Sequence, residues 1–460
     1  MLDESDVTAV LSAALTSGAD WAEVYAEKRD STSIRIEDRR VEELTSTRSQ
    51  GVGVRVVKGV QSAYAHTNVL TRESMLSAAK AAAAGVSGAQ SLAVLDLTRA
   101  EPPVLHPALV SPALAAKQAK VDIARRAEQS AWSQGADVVQ VMVSYTDVAQ
   151  RVFIANSFGH LSDTTRVRTR LAAQVVASRG DLTQTGFDGP GASKGMEHYD
   201  DFPPEDVGER AAQQALRLLD SVPSPAGEMT VVLNAGGGGV LFHEACGHGL
   251  EADAIGKDTT VYARTRGDKV GSELFSGVDD PTVVGAWGSY GFDDEGIAAS
   301  RTTLFDHGVQ AGVMSDRISA HRLGAVSTGH GRRQSYAHVP LPRMSNSLVL
   351  PGTSDPAALV SDVRRGLFCA ELGGGEVNPA TGDFVFGVTE GYLIEDGELT
   401  ARVRGANIIG NGPRALAQVD GVGSDFALKQ GMCGKGGQWV PVSFGTPTLR
   451  IATLTVGGLA

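Results

Sequence analysis

The chain has 460 residues, too many for one ordinary hydrophobic core, and its 42% hydrophobic and 20% charged residues mark a globular protein, not a disordered one. Its 41 Lys and Arg against 53 Asp and Glu give a net charge of −12, and the basic residues gather only in pairs such as Arg125-Arg126, Arg332-Arg333 and Arg364-Arg365, which excludes direct binding to nucleic acid. Three cysteines are too few and too odd for a disulfide framework and fit a reducing, cytoplasmic setting; the acidic start Met1-Leu2-Asp3-Glu4 is no signal peptide, and no apolar run nears the ~20 residues that cross a membrane.

Residues 3–17 read as a short helix capped by Asp3 or Ser5, with Gly18 after its end. Residues 20–67 read as strands and turns: Ser33-Ile34-Arg35-Ile36-Glu37 and Gly53-Val54-Arg55-Val56 alternate polar and apolar, as hairpins with one buried face do. Residues 71–85 and 112–133 are Ala-rich and helical. Strands return over 137–178, as in Val139-Gln140-Val141-Met142-Val143. The Gly-, Pro- and Ser-rich stretch 180–200 reads as a long loop, and 204–220 as an amphipathic helix with Ala215, Leu216, Leu218 and Leu219 near one side.

The segment Ser221-Val222-Pro223-Ser224-Pro225-Ala226-Gly227 is placed as a domain boundary. After it a strand, Thr230-Val231-Val232-Leu233, runs into Gly236-Gly237-Gly238-Gly239 and a helix. The four glycines lack the Gly-Lys-Ser/Thr ending of a phosphate loop and read as a close-packed turn. Beyond residue 265 strands and loops dominate, with hairpin character at Asp383-Phe384-Val385-Phe386 and at Glu390-Gly391-Tyr392-Leu393-Ile394 before Asp396-Gly397.

The chemical signal lies at His243-Glu244-Ala245-Cys246-Gly247-His248. Neutral imidazole is a zinc ligand, and an adjacent glutamate can take a proton from water held at the metal. In the common arrangement the two His stand four apart and share a helical face. Five apart, they diverge by about 140° on an ideal helix, so one ion is reached only if the helix widens or breaks; a π-turn near Gly247 would do it. A third ligand must come from elsewhere: Glu251, Asp253, Cys246, Cys369 and Cys433 are the candidates. Cys246 should point away from a site shared by the two His. Glu251 and Asp253 could instead support the His rings from behind. Cys433 sits in Gly431-Met432-Cys433-Gly434-Lys435-Gly436-Gly437, read as a flexible loop able to approach a metal.

These residues resemble the TldD/PmbA family of metallopeptidases, also called modulators of DNA gyrase. The likeness covers nearly the whole chain. It rests on His243 to Asp253, on Gly331-Arg332-Arg333-Gln334-Ser335-Tyr336-Ala337-His338 with Pro342-Arg343-Met344-Ser345-Asn346, and on Met432-Cys433-Gly434-Lys435. Ala19 to Tyr25 and Gly51-Val52-Gly53-Val54-Arg55 add to it. The intact motif resembles the metal-bearing TldD branch. The resemblance implies zinc on His243, His248 and Cys433, with Glu244 as general base. It further implies a heterodimer with a PmbA (TldE) type paralogue and unfolded peptides as substrates, cut inside an enclosed channel.

The expected fold is α/β of the α+β type, with mixed helices and largely antiparallel strands. Residues 1–222 form an N-terminal domain for assembly and channel formation. Residues 228–460 form a strand-rich metallopeptidase domain holding the zinc-binding helix. Arg332, Tyr336, His338, Arg343 and Asn346, with Arg333, are candidates for binding the peptide or steadying an oxyanion; the alternative is hydrogen bonding within loops and interfaces. His66, His106, His160, His198, His307, His321 and His330 lack motif context and read as structural or solvated. Two other functions compete: a zinc hydrolase of small amides, and a non-enzymatic, metal-stabilised regulatory subunit. The retained Glu244 speaks against the second, because a purely structural site needs no base.

Overall fold

A computed structural model describes residues 1–86, 93–101 and 108–458; His106 lies outside them. The first helix forms where a cap is available: Asp3 accepts from the Ser5 amide at the start of Glu4–Ala14, and Gly18 takes a positive φ just beyond its end. Three strands follow as a meander, Trp21–Glu37, Arg40–Lys58 and Gln61–Thr67. They join Val138–Asn156 and His160–Arg179 in one sheet, antiparallel along these neighbours.

This sheet is long enough to carry two separate helical layers. At one end Glu4–Ala14 and Arg72–Ala83 cover Val24, Val54, Val56 and Phe153. At the other, Lys117–Trp132 and Pro204–Leu218 cover Ile34, Ile36, Val141, Val143 and Val175. The apolar stripe of Pro204–Leu218 is Val207, Ala211, Ala212, Ala215 and Leu218, whose spacing of three and four keeps it on one face.

The stretch expected as a loop at 180–200 is largely ordered differently. Leu182–Asp188 is a strand paired with His160–Arg179 through a tight turn at Gly180, where φ is +61°. A two-residue strand, Gly191–Ala192, and one helical turn, His198–Asp201, follow. The composition marked the turn but hid Leu182-Thr183-Gln184-Thr185, whose side chains alternate between half-buried and exposed in the strand.

In the second half, Gly227–Leu233 runs parallel to Arg365–Val377 and antiparallel to Leu449–Gly457. The latter pairs with Asn407–Asn411, which pairs with Asp383–Glu395, and that strand returns to Arg365–Val377. Five strands thus close into a ring. Beside it stands a six-stranded sheet in the order Val309–Gln310, Thr302–Asp306, Gly277–Asp279, Asn346–Val349, Gln438–Thr446, Ala427–Lys435. One core, including Leu233, Phe242, Cys246, Met344, Phe386, Val440 and Ile451, fills the space between ring and sheet. The architecture is therefore mixed α/β with mostly antiparallel pairing. Among the described residues no helix is long and apolar enough to cross a membrane.

The two halves meet through buried charge. The Arg55 guanidinium pairs with Glu23 at 3.0 Å and also with Glu295, and Arg333 reaches the other oxygen of Glu23 at 2.5 Å. Burial opposes the charge on Glu23, and Arg55 and Arg333 outweigh it, holding that carboxyl below its ordinary range. Arg166 donates to Asp294 at 2.7 Å, and Tyr64 donates to the Tyr336 carbonyl at 2.5 Å. Gly51 is needed here, because a Cβ on it would come within 2.3 Å of the Tyr336 ring. Removing one partner of such a network strands a buried charge. Arg55→Ala is therefore expected to lower the unfolding free energy by roughly 3–5 kcal/mol, read as a lowered urea midpoint.

Candidate metal centre

The motif is presented by an abrupt strand-to-helix junction. After Leu233 the chain turns through Gly236, at φ +76°, and packs tightly: a Cβ on Gly237 would meet the Ala370 carbonyl at 2.7 Å, and one on Gly239 the backbone of Phe444 at 3.0 Å. Bulkier residues would push the helix off its neighbours, so the four glycines act as the close-packed turn expected. Gly239–Phe242 is a short α-turn. The next five residues, His243–Gly247, wind as a π-helix in which the His248 amide donates to the His243 carbonyl. His248–Leu250 then tightens to a 3-10 turn, and Glu251 is extended.

This is the distortion that the five-residue spacing calls for. The widened turn brings the two imidazoles to a centroid separation of 5.3 Å, with their planes 82° apart. Gly247 permits it sterically, since a Cβ there would lie 2.0 Å from the Met344 sulfur.

Cys433 arrives from the six-stranded sheet. Its segment is not the flexible loop expected but the strand Ala427–Lys435, in register with Gln438–Thr446 and with Cys433 opposite Val440. Gly436 and Gly437, at φ +57° and +74°, form the two-residue turn, the pattern of a type I′ hairpin. The glycine-rich composition reflects that turn and not mobility. Arg343 clamps the hairpin by donating to the carbonyls of Cys433 at 2.6 Å and Gln438 at 3.3 Å.

Among the described residues, His243, His248 and Cys433 form one cluster whose donor atoms all lie within 4.8 Å of one another. The His248 Nε2 is 3.4 Å from the Cys433 sulfur. Tetrahedral zinc with bonds near 2.0–2.3 Å sets its ligands roughly 3.3–3.6 Å apart, so the His248–Cys433 pair already has that spacing and His243, within 4.8 Å of both, completes a donor set of the right chemistry. Glu244, half-buried, places a carboxylate oxygen 3.7 Å from the same His248 Nε2.

Charges around the cluster favour a thiolate. Burial pushes the Cys433 thiol up, but His243 and His248 outweigh it and bring it down to about 5. Glu251 stands behind His248, 3.1 Å from its Nδ1, and also accepts from Lys435 at 3.0 Å. Burial opposes its charge, and His248, Lys435 and Arg343 bring it down to about 2. Asp253 faces Lys435 at 2.6 Å and supports no imidazole.

The other two thiols stand apart. Cys246 points into the core beside the Tyr262 hydroxyl at 3.5 Å, and burial pushes it up to about 12. Cys369, paired with Leu233 in the strand ring, is likewise pushed up by burial.

The remaining candidates divide. Arg332 is buried and gives its guanidinium to the carbonyls of Met344 and Pro441. Arg343 is spent on the Cys433 hairpin, and Asn346 donates to the Asp280 carbonyl at 2.6 Å and to Ser289 at 2.9 Å. These three turn their donors to their own chain, which corrects the expectation that they face a peptide. Tyr336 and His338 are half-buried, the latter 2.8 Å from the Ser335 hydroxyl.

The sequence reading missed Asp279, Ser347 and Lys435. Ser347 lies 3.5 Å from His243 Nδ1 and donates to Asp279 at 2.9 Å. No motif marks Asp279 or Ser347, which only strand pairing brings opposite each other. Burial pushes the Asp279 carboxyl up, and His330 and Ser345 outweigh it, keeping it below the usual range.

Comparison with known proteins gives the family. The PmbA/TldA metallopeptidase C-terminal domain matches residues 226–458, the central domain 112–219 and domain 1 residues 22–85. A metalloprotease TldD homolog of Haemophilus influenzae is 34% identical over 448 residues, 95% of this chain and 93% of its own length. The chain belongs to the TldD/PmbA metallopeptidase family.

A metalloprotease of Methanothermobacter thermautotrophicus is also 34% identical, over 95% of this chain and 96% of its own. A zinc metalloprotease TldD homolog of Saccharolobus solfataricus is 31% identical over 63% of this chain and 64% of its own. Two solved structures share the TldD/PmbA fold. A Thermotoga maritima protein described as a modulator of a DNA gyrase superposes with a TM-score of 0.82 at 22% identity, covering 99% and 100% of the two chains. TldE of Thermococcus kodakarensis gives 0.76 at 19% identity, covering 96% and 97%. The relatives' names make this a chain of metalloprotease kind.

If Cys433 is a ligand, Cys433→Ser should weaken zinc binding by at least about 100-fold, since a neutral hydroxyl replaces a soft thiolate. Competition with a chromophoric chelator measures it.

Proposed function

We propose that the chain is a zinc-dependent peptidase of the TldD branch, hydrolysing unfolded peptides with Glu244 as general base. The observation that carries this reading is the convergence of His243, His248 and Cys433 on one point, with the Glu244 carboxylate beside it. The Saccharolobus relative's name, a zinc metalloprotease, supports the choice of metal. His243, His248 and Cys433 would hold the ion, which supplies Lewis acidity toward a carbonyl and toward water when bound.

The chain's own groups do the rest. Among the described residues Glu244 has no ion-pair contact beyond the 3.7 Å approach to His248 Nε2, so its carboxylate is available to accept a proton from water and deliver it to the departing amine. Glu251 holds the His248 ring from behind and is itself held by Lys435. Tyr336 and His338, half-buried on the segment that touches both halves of the molecule, are the candidates to meet the peptide.

Partner and substrate follow the same family reading. The N-terminal half would serve assembly with a PmbA/TldE-type paralogue, closing a channel that admits only extended chains. The three free, buried cysteines fit a cytoplasmic setting.

Glu244→Gln keeps the size of the side chain but cannot accept a proton. It is expected to lose peptide cleavage by a factor of about 10²–10⁴ while zinc stays bound at the level of the parent. Turnover of a fluorogenic peptide with metal content measured on the same sample checks it; near-parental turnover removes Glu244 from the mechanism. The assembly reading has its own assay, one protein offered folded and denatured to the chain with and without the paralogue. Cleavage should need both the denatured form and the partner. Equal cleavage of both forms by the chain alone would refute gating and partner together.

A further inference from the structure

The metal cluster leans on a buried chain of side chains that runs away from it into the six-stranded sheet. Asp279 is fully buried on Gly277–Asp279 and sits directly opposite Ser347 of Asn346–Val349 in the strand register. Its two oxygens accept the Ser345 amide at 2.9 and 3.1 Å, the Ser345 hydroxyl, the Ser347 hydroxyl at 2.9 Å and the His330 Nε2 at 3.1 Å. His330 faces the Thr328 hydroxyl at 2.9 Å through its other nitrogen. Beyond Ser347, at 3.5 Å, is Nδ1 of His243.

Donor counting fixes the direction of the bonds from Asp279 through Ser347 to His243. An ionised carboxylate only accepts, and a serine has one hydrogen to give. Ser347 gives that hydrogen to Asp279, so toward His243 its oxygen can only accept. The proton of neutral His243 must then sit on Nδ1, leaving a bare lone pair on Nε2. We infer that Asp279 and Ser347 are positioning residues that lock His243 in its Nδ1–H tautomer and so aim Nε2 at the metal. His330 and Thr328 complete the chain by keeping Asp279 in place. The inference rests on the metal-centre reading above and adds residues to it that lie outside the motif. Glu251 plays the same part for His248, so the two imidazoles are set by separate carboxylates, one reached directly and one through a hydroxyl.

The test uses the full chain and three variants. Ser347→Ala removes the acceptor and Ser347→Thr keeps it; His243→Ala is the control for the metal site itself. Zinc affinity is measured by chelator competition, and the imidazole nitrogens of the zinc-loaded parent are read by ¹⁵N NMR. The expected result is a 10–100-fold loss of zinc affinity in Ser347→Ala, with Ser347→Thr within about threefold of the parent. The parent's His243 should show a protonated Nδ1 and a metal-shifted Nε2.

A merely structural serine would lower the melting temperature without weakening zinc binding of the folded protein. Parental zinc affinity in Ser347→Ala, or metal on Nδ1 of His243, overturns the inference. If His243→Ala also binds zinc like the parent, the metal-centre reading itself has failed; if only His243→Ala loses zinc, that reading stands and the role of Ser347 falls. Asp279→Asn gives a second approach, because an amide can donate to Ser347 and reverse the chain. It should weaken zinc at least as much as Ser347→Ala, and parental affinity in a folded Asp279→Asn counts against the inference.

Discussion

The requirement that shapes this molecule is that two imidazoles five residues apart must meet one thiol 185 residues further along the chain. A regular helix cannot satisfy it, because the rings would face directions about 140° apart. The π-turn over His243–Gly247 removes the conflict at the cost of poorer backbone packing, and the surroundings are built to take it up. Tyr262 donates to the Ala245 carbonyl at 3.2 Å, inside the widened turn. Met344 fills the space beneath Gly247, where any side chain would collide with its sulfur. These two neighbours hold the turn open.

The residues that face the helix across the cluster share one origin. Asp279, Ser347 and Cys433 sit on the six-stranded sheet, on Gly277–Asp279, Asn346–Val349 and Ala427–Lys435, with Gln438–Thr446 between the last two. A sheet fixes the spacing of its strands at about 4.8 Å, so the thiol and the support of His243 are set by a common template. The helix contributes two imidazoles and Glu244, and the sheet decides where they meet the thiol. Arg343 links the two by gripping the Cys433 hairpin while lying 3.9 Å from Glu251, the carboxylate behind His248.

What the sequence made legible follows this division. Local signals were readable: the Asp3 cap, the stripe of Pro204–Leu218, the four-glycine turn, and the need for a bend at Gly247, which is a matter of arithmetic on a helix. Signals that depend on pairing were not. Cys433 read as loop because glycines flank it, although Gly436 and Gly437 serve a hairpin turn. Arg332, Arg343 and Asn346 read as peptide-facing because dense polar residues in an apolar domain look functional; they are buried, and main-chain carbonyls account for most of their bonds. Asp279 and Ser347 are ordinary residues 68 positions apart, and only the strand register joins them.

The segment Gly331–His338 shows why the N-terminal half matters to a centre it does not contain. On one side Arg333 is locked to Glu23 and its ring neighbour Tyr25, and the Tyr336 amide donates to Glu27 at 3.3 Å. On the other, the Gln334 amide donates to the Gln438 side chain at 3.1 Å, and Gln334 accepts from the Trp439 amide at 2.7 Å. Gln438 and Trp439 belong to the hairpin that carries Cys433. Buried ion pairs add little net stability, because desolvation offsets their attraction, but they tolerate displacement poorly. A shift of the N-terminal sheet against the second half would have to break the Glu23, Arg55, Glu295 and Arg333 network or drag Gly331–His338 with it. The second course pulls on the Cys433 hairpin. The charged contact between the halves is thus a mechanical link: it ties the position of the thiolate to the position of the N-terminal half, which is the part of the chain proposed to meet a partner.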